Sequence, residues 1–442
     1  MFVRINGACK IRRCENEQFL LINTRYHSSM SVSMEADMFL NPLSTTPCSV
    51  DQIADGIASE YSEITKEEVL DDAIVFYKTL AEDGFVVLAE SFQDACEYPL
   101  IGLHIEITFA CNERCVHCYL PNTTKDAGSF MHPDLFYRLI DEFVELGGNK
   151  VTLSGGEPML HPDFKDFVKY CNEKGLEISI FSNLLLCDDS LVDYLKSVKI
   201  DTVQTSVYSL DHHIHDSITK VRGSLTRTLS AIDRLKSAGI NISISSPIMK
   251  LNESGAEQII LYAQKNNFRL RLDPMILAKS DGDTGFVDTG RLSIEQHGNF
   301  LKRLMNFDSD YVRENLLEID FDSENKLINN TEAYLNGHIC SAGIDHLCIS
   351  SKGVVYPCAG WESFSVGNIA AENLSDIWFN SQELNRIREV NKRSKHLDCL
   401  VCPTLKYCKR CFMQSALEGS FGKFNKRCCD DARIRCDVLS NK

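Results

Sequence analysis

Apolar residues change their spacing along the chain, and the changes divide it into four units. The first unit, residues 1–92, combines short apolar runs with two helical patterns. One helix is predicted after Ser49, a residue type that favours helix N-caps, and the other over residues 66–82. Strands are predicted at residues 19–23, 31–34 and 85–88. This mixture predicts a small α+β domain.

Strand and helix patterns alternate in the second unit, residues 101–290. Strands are predicted at residues 103–109, 150–153, 177–181, 202–207, 241–244 and 269–272, with helices at 133–146, 162–174, 225–238 and 255–265. Such alternation predicts a parallel sheet or barrel with active residues on loops at the carboxyl ends of the strands. Residues 291–339 are polar and helical in pattern, and we assign them a bridging role. The last unit, residues 340–442, contains ten cysteines.

Composition narrows the class of protein. A chain of 442 residues with 44% apolar and 24% charged residues is typical of a folded globular protein. The sequence shows neither a run of eighteen apolar residues nor an N-terminal signal-peptide core, which predicts a cytoplasmic protein without a membrane span. The formal net charge of −16 argues against nucleic-acid binding, because such binding depends on basic contacts to phosphate. Nineteen cysteines in a reducing cytosol favour metal or redox sites over disulfides.

Three cysteines lie close together directly after the first predicted strand of the second unit. They form the run Cys111-Asn-Glu-Arg-Cys115-Val-His-Cys118. Three thiolates can hold three irons of a four-iron cluster, whereas ferredoxin runs supply four cysteines. The fourth iron is then open to a small molecule, which points to chemistry rather than electron storage. Three buried cysteines on a turn, or part of a zinc site, are the alternatives.

A second run, Ser154-Gly155-Gly156-Glu157-Pro158, follows the next predicted strand. Its glycines allow a ligand to approach the backbone closely, and the carboxylate of Glu157 can receive a ligand's ammonium group. A tight turn without a ligand would explain the same run by itself. Its position one βα unit after the cysteines favours a binding site.

With both runs in these positions, the sequence resembles the radical S-adenosylmethionine (SAM) superfamily. The resemblance implies a partial (β/α)6 TIM-like barrel with a [4Fe–4S] cluster on Cys111, Cys115 and Cys118, and with SAM on the open iron. It implies that the run from Ser154 to Pro158 contributes to the SAM site, its Gly-Gly-Glu part binding the methionine amino group. Reductive cleavage of SAM would then yield a 5′-deoxyadenosyl radical. Further family positions, each also explicable as a polar residue at a strand end, are Ser182, Asn183 and Ser206, with Leu184 where the family often has glycine.

The cysteines of the last unit resemble the SPASM extension of radical SAM maturases, which binds auxiliary Fe–S clusters. Cys340, Gly353 and Cys358 form a C-x12-G-x4-C element in a predicted hairpin, and paired cysteines follow it. The resemblance implies two auxiliary [4Fe–4S] clusters. The family layout assigns three ligands to the cluster nearer the active site, namely Cys340, Cys358 and Cys411. It gives the outer cluster Cys399, Cys402, Cys408 and either Cys428 or Cys429.

Two features depart from the SPASM pattern. Two residues separate Cys408 from Cys411, where the commonest form has three. The sequence has no cysteine just upstream of Cys340, so the inner cluster has either an open iron or Cys348 as its fourth ligand. Zinc is the competing metal, because paired C-x-x-C elements form tetrahedral zinc sites.

The first unit resembles the RiPP recognition element, a winged-helix-like domain that binds the leader of a ribosomally made precursor peptide. Binding would occur by strand addition, in which an extended leader pairs with the sheet edge and lays apolar side chains against a helix. The alternative is an accessory fold that only packs on the barrel. A DNA-binding role is disfavoured because acidic residues outnumber basic ones on and beside the second helix. The acidic residues are Glu67, Glu68, Asp71, Asp72, Glu82 and Asp83, against Lys66 and Lys78.

Together these resemblances imply a peptide-modifying maturase of the RiPP class. The expected partners are a precursor peptide, bound through its leader, and an electron donor such as flavodoxin or ferredoxin. The expected product is a peptide with a thioether or carbon–carbon crosslink, the second electron leaving through the auxiliary clusters. Two other hypotheses are an oxidase of a protein residue, similar to sulfatase-maturating enzymes, and a non-enzymatic iron–sulfur regulator with a winged helix. The sequence identifies no general acid or base.

Overall fold

The computed structural model describes residues 1–5, 9–14, 18–23, 28–43, 48–61, 63–89, 98–313, 335, 337–423 and 426–440. Within these residues the chain forms an N-terminal α+β unit, a central sheet flanked by helices, and a cysteine-rich C-terminal part. This arrangement confirms the predicted α/β class. Among the described helices, none combines the length and the apolar character that crossing a membrane requires.

In its described residues, the N-terminal unit contains two small antiparallel sheets and three α-helices. Its strands are β1 (Phe2–Ile5), β2 (Cys9–Cys14), β3 (Gln18–Asn23), β4 (Ser28–Ser33), β5 (Cys48–Ser49) and β6 (Val86–Ala89), and its helices are α1 (Asp37–Leu40), α2 (Val50–Glu60) and α3 (Lys66–Glu82). One sheet has the order β5-β1-β6 and the other β2-β3-β4. Helices α2 and α3 bury their apolar stripes in a core that they share with Val3 and Leu21.

Both helices predicted for this unit are confirmed. Helix α2 begins directly after Ser49, although the Ser49 side chain makes no capping hydrogen bond. Helix α3 begins with a capping box. The hydroxyl of Thr65 accepts from the main-chain N–H of Glu68 (3.3 Å), and the Glu68 carboxylate accepts from the N–H of Thr65 (3.0 Å). The local sequence therefore fixes where α3 starts.

Six parallel strands form the centre of the molecule, and every strand predicted there is present. They are β7 (Gly102–Thr108), β8 (Lys150–Gly155), β9 (Glu177–Phe181), β10 (Thr202–Ser206), β11 (Ile242–Pro247) and β12 (Arg269–Asp273). The helices of this part are α4 (Asn122–Ala127), α5 (Pro133–Glu145), α6 (Phe164–Glu173), α7 (Asp189–Ser197), α8 (His212–Thr219), α9 (Ser224–Ser237), α10 (Ala256–Asn266) and α11 (Gly285–Gly290). Because neighbouring strands are parallel, their carboxyl ends meet at one edge of the sheet.

The main core lies between this sheet and its helices. Strand β7 is buried at almost every position, as expected for a parallel strand covered on both faces. Phe136 and Phe167 stack with their ring centroids 3.9 Å apart, and both are fully buried with Leu153 and Ile180. Burial of each such side chain stabilises the fold by roughly 1.5–3 kcal/mol. The strand ends that carry the predicted site are thus held on a closely packed support.

The C-terminal part extends the same sheet. Its elements, with the two helices before it, are α12 (Ile294–Phe307), α13 (Ser309–Tyr311), β13 (His346–Ser350), β14 (Val354–Tyr356), β15 (Gly367–Asn368), α14 (Leu374–Asn380), α15 (Gln382–Asn391), α16 (Leu397–Leu400), α17 (Phe412–Leu417) and α18 (Lys426–Ser440). The predicted hairpin around Gly353 is confirmed as β13–β14. Strand β13 also pairs parallel to β7, which the sequence pattern does not predict. Counted over the part of the chain that the structure describes, the sheet therefore has nine strands, and it joins the cysteine-rich part to the barrel.

The bridging unit is only partly within the described residues. Helix α12 packs against the last helix, α18, where His297 Nδ1 lies 3.0 Å from Asp431 Oδ1. Arg303 of α12 forms ion pairs with Glu253 (2.7 Å) and Glu257 (2.5 Å) beside α10. Residues 314–334 and 336 of the predicted bridge lie outside the described residues. The described part of the bridge therefore contacts both the barrel and the end of the chain.

Candidate active site and iron–sulfur sites

The cysteines of the first run lie on the loop after β7, at the carboxyl edge of the sheet. A main-chain hydrogen bond from Val116 N to Ile218 O (3.0 Å) holds this loop to the end of α8. Another, from Cys118 N to Cys115 O (3.1 Å), closes a turn between two of the cysteines. Cys111, Cys115 and Cys118 all line one cavity of about 360 Å³. The structure therefore brings the three thiols together where the sequence places them.

The surroundings of these thiols fit an iron–sulfur cluster, whose irons carry positive charge. Burial raises the pKa of Cys111 to about 11 and that of Cys115 well above its usual value, where the charge of Glu113 acts in the same direction. Lys125 is 3% exposed and hydrogen-bonds to Cys118. Its positive charge lowers the pKa of the other two thiols, against the effect of burial. Thiols in such a site become thiolates beside a strong cation, which the irons of a cluster provide.

The glycine run passes very close to the cysteine loop. Gly156 N donates to Thr108 O (2.8 Å). A Cβ atom added to Gly156 would lie 2.3 Å from Ala110 O, and one added to Gly155 would lie 2.0 Å from Thr108 O. Gly155 also has φ +136°, a conformation that side chains disfavour. Glycine is required at both positions, and Ser154, Gly155 and Gly156 line the cavity beside the cysteines.

Glu157 is fully buried, and its carboxylate accepts hydrogen bonds from two loops of the protein. The donors are Met159 N (3.0 Å), Ser182 Oγ (2.8 Å) and Asn183 N (2.8 Å). Burial raises the pKa of Glu157 to about 7, and the hydrogen bonds act against this rise. Glu157 and Pro158, which starts a short 3-10 turn, lie behind the cavity wall. The carboxylate that the sequence offers to a ligand's ammonium group is thus directed at protein donors, and it ties the loop after β8 to the loop after β9.

The other predicted cofactor positions are all in the cavity wall. Ser182 and Asn183 follow β9, and Ser206 ends β10. Asn183 Nδ2 donates to Asn112 Oδ1 (2.6 Å), which connects this wall to the cysteine loop. Leu184 has φ +66°, a left-handed conformation that costs a residue other than glycine roughly 1–2 kcal/mol. The chain therefore keeps the turn at the position where the family often has glycine.

Several wall residues have no sequence signal that would identify them. Lys125 lies on the short helix α4, outside any motif. The Tyr208 ring meets the His117 ring edge-on, with centroids 5.0 Å apart. His104 comes from the middle of β7, and Phe181 packs edge-on against it at 5.6 Å. Only the folded sheet brings these side chains to one cavity.

A buried polar cluster borders the cavity where β7 meets the β13–β14 hairpin. Glu106 is fully buried and accepts from the hydroxyls of Tyr119 (2.5 Å) and Tyr356. His104, Glu106 and Cys348 place their potential ligand atoms within 4.8 Å of one another. Burial raises the pKa of Glu106 to about 7. Since Tyr119 directly follows the first cysteine run, this cluster connects that run to the C-terminal hairpin.

The C-terminal cysteines form two groups, and the inner one borders the active-site cavity. Cys340, Cys358 and Cys411 pack together with Trp361. Burial raises the pKa of Cys358 to about 12, and the charges of Cys411 and Cys340 act in the same direction. Ala359, next to Cys358, lines the same cavity as Cys111, Cys115 and Cys118. The inner group is therefore adjacent to the place where a substrate would react.

The outer group is partly exposed at the surface. It contains Cys399, Cys402 and Cys408, of which Cys402 is exposed. Burial raises the pKa of Cys408 to about 12, while the guanidinium of Arg410 lowers it. The same guanidinium hydrogen-bonds to Cys399. Arg410 therefore interacts with two of the predicted outer thiols, and the third, Cys402, interacts electrostatically with Cys399.

The two adjacent cysteines at the start of α18 point to different neighbours. Cys429 is exposed and interacts electrostatically with both Cys399 and Cys408. Cys428 is 3% exposed and also interacts with Cys408, but its thiol donates to Gln414 Oε1 at 3.8 Å. Cys429 therefore belongs to the outer group more directly than Cys428 does.

Comparison with known families identifies the two parts that carry these thiols. The Radical SAM superfamily matches residues 105–263, and SPASM, an iron-sulfur cluster-binding domain, matches residues 340–412. The chain is a radical SAM enzyme. Its radical SAM domain binds a [4Fe–4S] cluster and SAM, and its SPASM domain binds auxiliary Fe–S clusters. The hypothesis of a non-enzymatic regulator is therefore wrong.

Individual relatives are distant. The chain is 26% identical to the antilisterial bacteriocin subtilosin biosynthesis protein AlbA of Bacillus subtilis, over 74% of this chain and 71% of AlbA. It is 24% identical to the AdoMet-dependent heme synthase of Methanosarcina barkeri, over 69% of this chain and 89% of the synthase. Streptococcus suis SuiB bound to the precursor peptide SuiA superposes with a TM-score of 0.61 at 20% identity, covering 96% of this chain and 99% of SuiB. The protein anSMEcpe with bound AdoMet superposes with a TM-score of 0.60 at 19% identity, covering 77% of this chain and 97% of anSMEcpe. These superpositions confirm the predicted fold of the radical SAM enzyme.

Proposed function

We propose that this radical SAM enzyme installs a crosslink, either a thioether or a carbon–carbon bond, in a ribosomally synthesised precursor peptide. The observation that carries the proposal is the N-terminal unit. SuiB, solved with its precursor peptide, aligns over 96% of this chain, whereas anSMEcpe aligns over 77%. The difference is close to the share of the chain that residues 1–92 form. AlbA, named for the biosynthesis of a bacteriocin, supports the same substrate class.

The ligands of the catalytic cluster are proposed to be Cys111, Cys115 and Cys118. With SAM bound, this cluster supplies a 5′-deoxyadenosyl radical, which can remove a hydrogen atom from an unactivated carbon. The protein has to hold SAM and the peptide in reacting positions and keep other hydrogen donors out. Other hydrogen donors are kept out by the mainly apolar and aromatic part of the cavity wall, which includes Phe181 and Tyr208.

SAM is proposed to lie against the glycine run and the next two strand ends. The main chain of residues 154–156 can approach the ligand closely because two glycines leave no side chain there. Ser182, Asn183 and Ser206 present polar groups from the neighbouring wall. Glu157 affects SAM binding indirectly, because its carboxylate accepts hydrogen bonds from Ser182 and Asn183 and holds both residues in place. We therefore assign Glu157 a positioning role.

The auxiliary clusters are proposed to use the two groups of C-terminal thiols. The inner ligands are Cys340, Cys358 and Cys411, and the outer ligands are Cys399, Cys402, Cys408 and Cys429. Cys429 is chosen over Cys428 because it interacts with both Cys399 and Cys408. Cys348 is not assigned as an inner ligand, because it belongs to the buried polar group around Glu106. One iron of the inner Fe–S cluster is therefore proposed to have no protein ligand. The inner group borders the cavity, where an electron can leave the substrate.

The leader of the peptide is proposed to add to the edge of strand β4. Within the described residues, β4 pairs with β3 on one side, and its other side is the end of the sheet. Ser29, Ser31 and Ser33 are exposed along β4 and alternate with half-buried residues that include Met30 and Val32. Small serine side chains leave the edge backbone accessible to another strand. The acidic surface of α3 favours a leader that carries positive charge.

The proposed reaction is tested by co-expression with candidate precursor peptides, which are to be sought among short open reading frames near the gene. Mass spectrometry is expected to show the loss of two hydrogens per crosslink, because one bond forms where two hydrogens leave. Co-expression with the Cys115→Ala variant is the control and should return the unmodified peptide. A peptide of unchanged mass from the wild-type enzyme, in cells where SAM is cleaved, would contradict cyclisation.

Deletion of residues 1–92 is expected to separate peptide binding from radical chemistry. The truncated enzyme should bind the precursor at least about tenfold more weakly, a change of about 1.4 kcal/mol, because the leader loses its strand partner. Its SAM cleavage with reductant should persist, since the SAM site lies in the barrel. Isothermal titration with the precursor measures the first effect, and chromatography of 5′-deoxyadenosine measures the second.

An unchanged peptide affinity after this deletion would favour the second candidate function, the oxidation of a residue in a protein substrate. The observation that favours this candidate is the superposition on anSMEcpe, which covers 77% of this chain. Truncated protein that no longer cleaves SAM would indicate instead that the N-terminal unit supports the barrel.

A further inference from the structure

Three side chains with metal-binding atoms meet where the barrel joins the C-terminal hairpin. His104 and Cys348 are direct partners in the parallel pairing of β7 with β13. Glu106 comes two residues after His104 on β7, so its side chain lies on the same face of the sheet. One potential ligand atom from each of the three residues lies within 4.8 Å of the other two. A nitrogen, an oxygen and a sulfur donor therefore converge from two neighbouring strands.

The histidine nitrogen has no other partner. Nε2 of His104 is buried and makes no hydrogen bond to any of the described residues. Buried polar atoms are normally satisfied, so such an exception calls for a ligand or an ion. Burial lowers the pKa of His104 to about 4, and the charge of His346 acts in the same direction. The ring is therefore neutral at physiological pH, which is the form that binds metals.

The other two side chains need a nearby cation to carry their charge. Glu106 and Cys348 are both fully buried. Burial raises the pKa of Glu106 to about 7 and that of Cys348 well above its usual value. A metal ion reverses this effect and keeps both groups deprotonated. Because one carboxylate and one thiolate carry two negative charges, a divalent ion would make the buried site neutral.

Two tyrosines hold these acidic side chains in place. The hydroxyls of Tyr119 and Tyr356 donate to different oxygens of Glu106. Each carboxylate oxygen has two lone pairs and therefore keeps one for an ion. The hydroxyl of Tyr356 also hydrogen-bonds to Cys348, which favours the thiolate. Hydrogen bonds of this kind orient the ligands of a metal ion and are a regular part of metal sites.

We propose that His104, Glu106 and Cys348 bind a zinc ion whose fourth ligand is water. A thiolate and an imidazole disfavour magnesium and calcium, which prefer oxygen ligands. Zinc accepts nitrogen, oxygen and sulfur donors, and a site with three protein ligands usually completes its tetrahedron with water. The ion would fasten the β13–β14 hairpin to β7 at the cavity wall, which His104 lines.

The position of this site between the two inner thiol groups also favours zinc. Glu106 hydrogen-bonds to Tyr119, which directly follows Cys118 of the first cysteine run. Glu106 also interacts electrostatically with Cys358 of the inner C-terminal group. Zinc has no redox chemistry, so it can occupy this place without taking electrons from the clusters on either side. The site does not depend on which bond the enzyme forms in its substrate.

Metal analysis of the anaerobic holoenzyme, without any peptide, tests the site. After the clusters are reconstituted and loosely bound metal is removed with a chelator, the wild type is expected to keep about one zinc per chain, as one tetrahedral site requires. X-ray absorption at the zinc edge should show one sulfur at about 2.3 Å and nitrogen or oxygen ligands at about 2.0–2.2 Å. Zinc that had replaced iron at a cysteine site would show mainly sulfur ligands, so the two cases are distinguished.

Two variants connect the zinc to its ligands. His104→Ala and Cys348→Ala are expected to lose the zinc and to keep the iron content of the wild type. The control is Cys171→Ala, which removes another fully buried thiol, on α6, and should keep both metals. One equivalent of zinc, added to protein prepared without it, should raise the melting temperature of the wild type and the control but not that of the two variants.

A wild-type protein with its full iron content and no zinc would overturn the proposal. Zinc that persists in both variants, or that has mainly sulfur ligands, would overturn it as well. The wild-type measurement does not require any variant to fold. Neither SAM cleavage nor crosslinking enters these measurements, so the zinc site can fail while the proposed function stands, and the reverse.

Discussion

Replacement of Cys115 by alanine is expected to abolish formation of 5′-deoxyadenosine. Cys115 lies in the middle of the cysteine loop, and its thiol shares one cavity with those of Cys111 and Cys118. Two thiolates cannot hold three irons, so the catalytic cluster should not assemble. The loss should far exceed the roughly 10–100-fold effect of removing an outer-shell partner of a metal ligand.

Iron content and the electron paramagnetic resonance spectrum of the reduced protein measure this effect directly. The variant should lose the iron of one cluster and the spectral change that SAM causes, while the C-terminal clusters remain. The control is Cys48→Ala, because Cys48 is a half-buried thiol of the N-terminal unit whose thiol lies 3.5 Å from Val3 O, outside the cavity. A Cys115→Ala protein with full iron and normal SAM cleavage would show that Cys115 is not a ligand.

The sequence predicts the barrel well because its signal is local. Each strand from β7 to β12 is a short stretch that buries at least every second residue, and a helix lies between each strand and the next. Parallel strands bring their carboxyl ends to one edge, so the residues after successive strands must meet. For that reason Cys111, Gly155 and Ser182 could be assigned to one cavity from their positions relative to strands alone. The cavity lining agrees with that assignment.

Contacts between distant parts of the chain are not visible in the sequence. Strand β13 pairs with β7 across more than two hundred residues, and no periodicity records which edge it joins. Lys125 reaches the cysteines because α4 folds back over them, although its own helix carries no motif. Adjacent cysteines are equivalent in sequence, but α18 buries Cys428 and exposes Cys429. In each case the deciding information is available only after the chain has packed.

Glu157 makes contacts in the folded protein that its sequence motif does not reveal. The run of glycines marks a close approach of two loops, and this close approach is present. The carboxylate, however, is the acceptor for three donors that lie on both sides of it in the fold. A buried carboxylate without such donors would be strongly destabilising, which explains why it is directed at them. The loop after β9 is consequently part of the same structure as the glycine run.

This coupling makes Gly156→Ala the substitution with the largest expected effect outside the cysteines. The new methyl group would lie 2.3 Å from Ala110 O and 2.6 Å from Phe109 O, both of them main-chain atoms that cannot rotate away. Relief requires the glycine run and the cysteine loop to separate, at a cost of about 1–3 kcal/mol. Because SAM is proposed to bind across both loops, its dissociation constant should rise at least about tenfold. Isothermal titration of SAM into the anaerobic holoenzyme measures this change.

Gly56→Ala is the matched control, since a Cβ atom at Gly56 in helix α2 has no heavy atom within 4 Å. Alanine in a helix interior is favoured over glycine by roughly 0.5–1 kcal/mol, so this variant should be at least as stable as the wild type and should bind SAM normally. Gly156 is preferred to Gly155 for the test because Gly155 has φ +136°, and a substitution there would combine backbone strain with the steric clash. Normal SAM affinity in Gly156→Ala, with the variant correctly folded, would mean that SAM does not bind across these loops. A loss confined to Gly156→Ala would locate the SAM site at the contact between the glycine run and the cysteine loop.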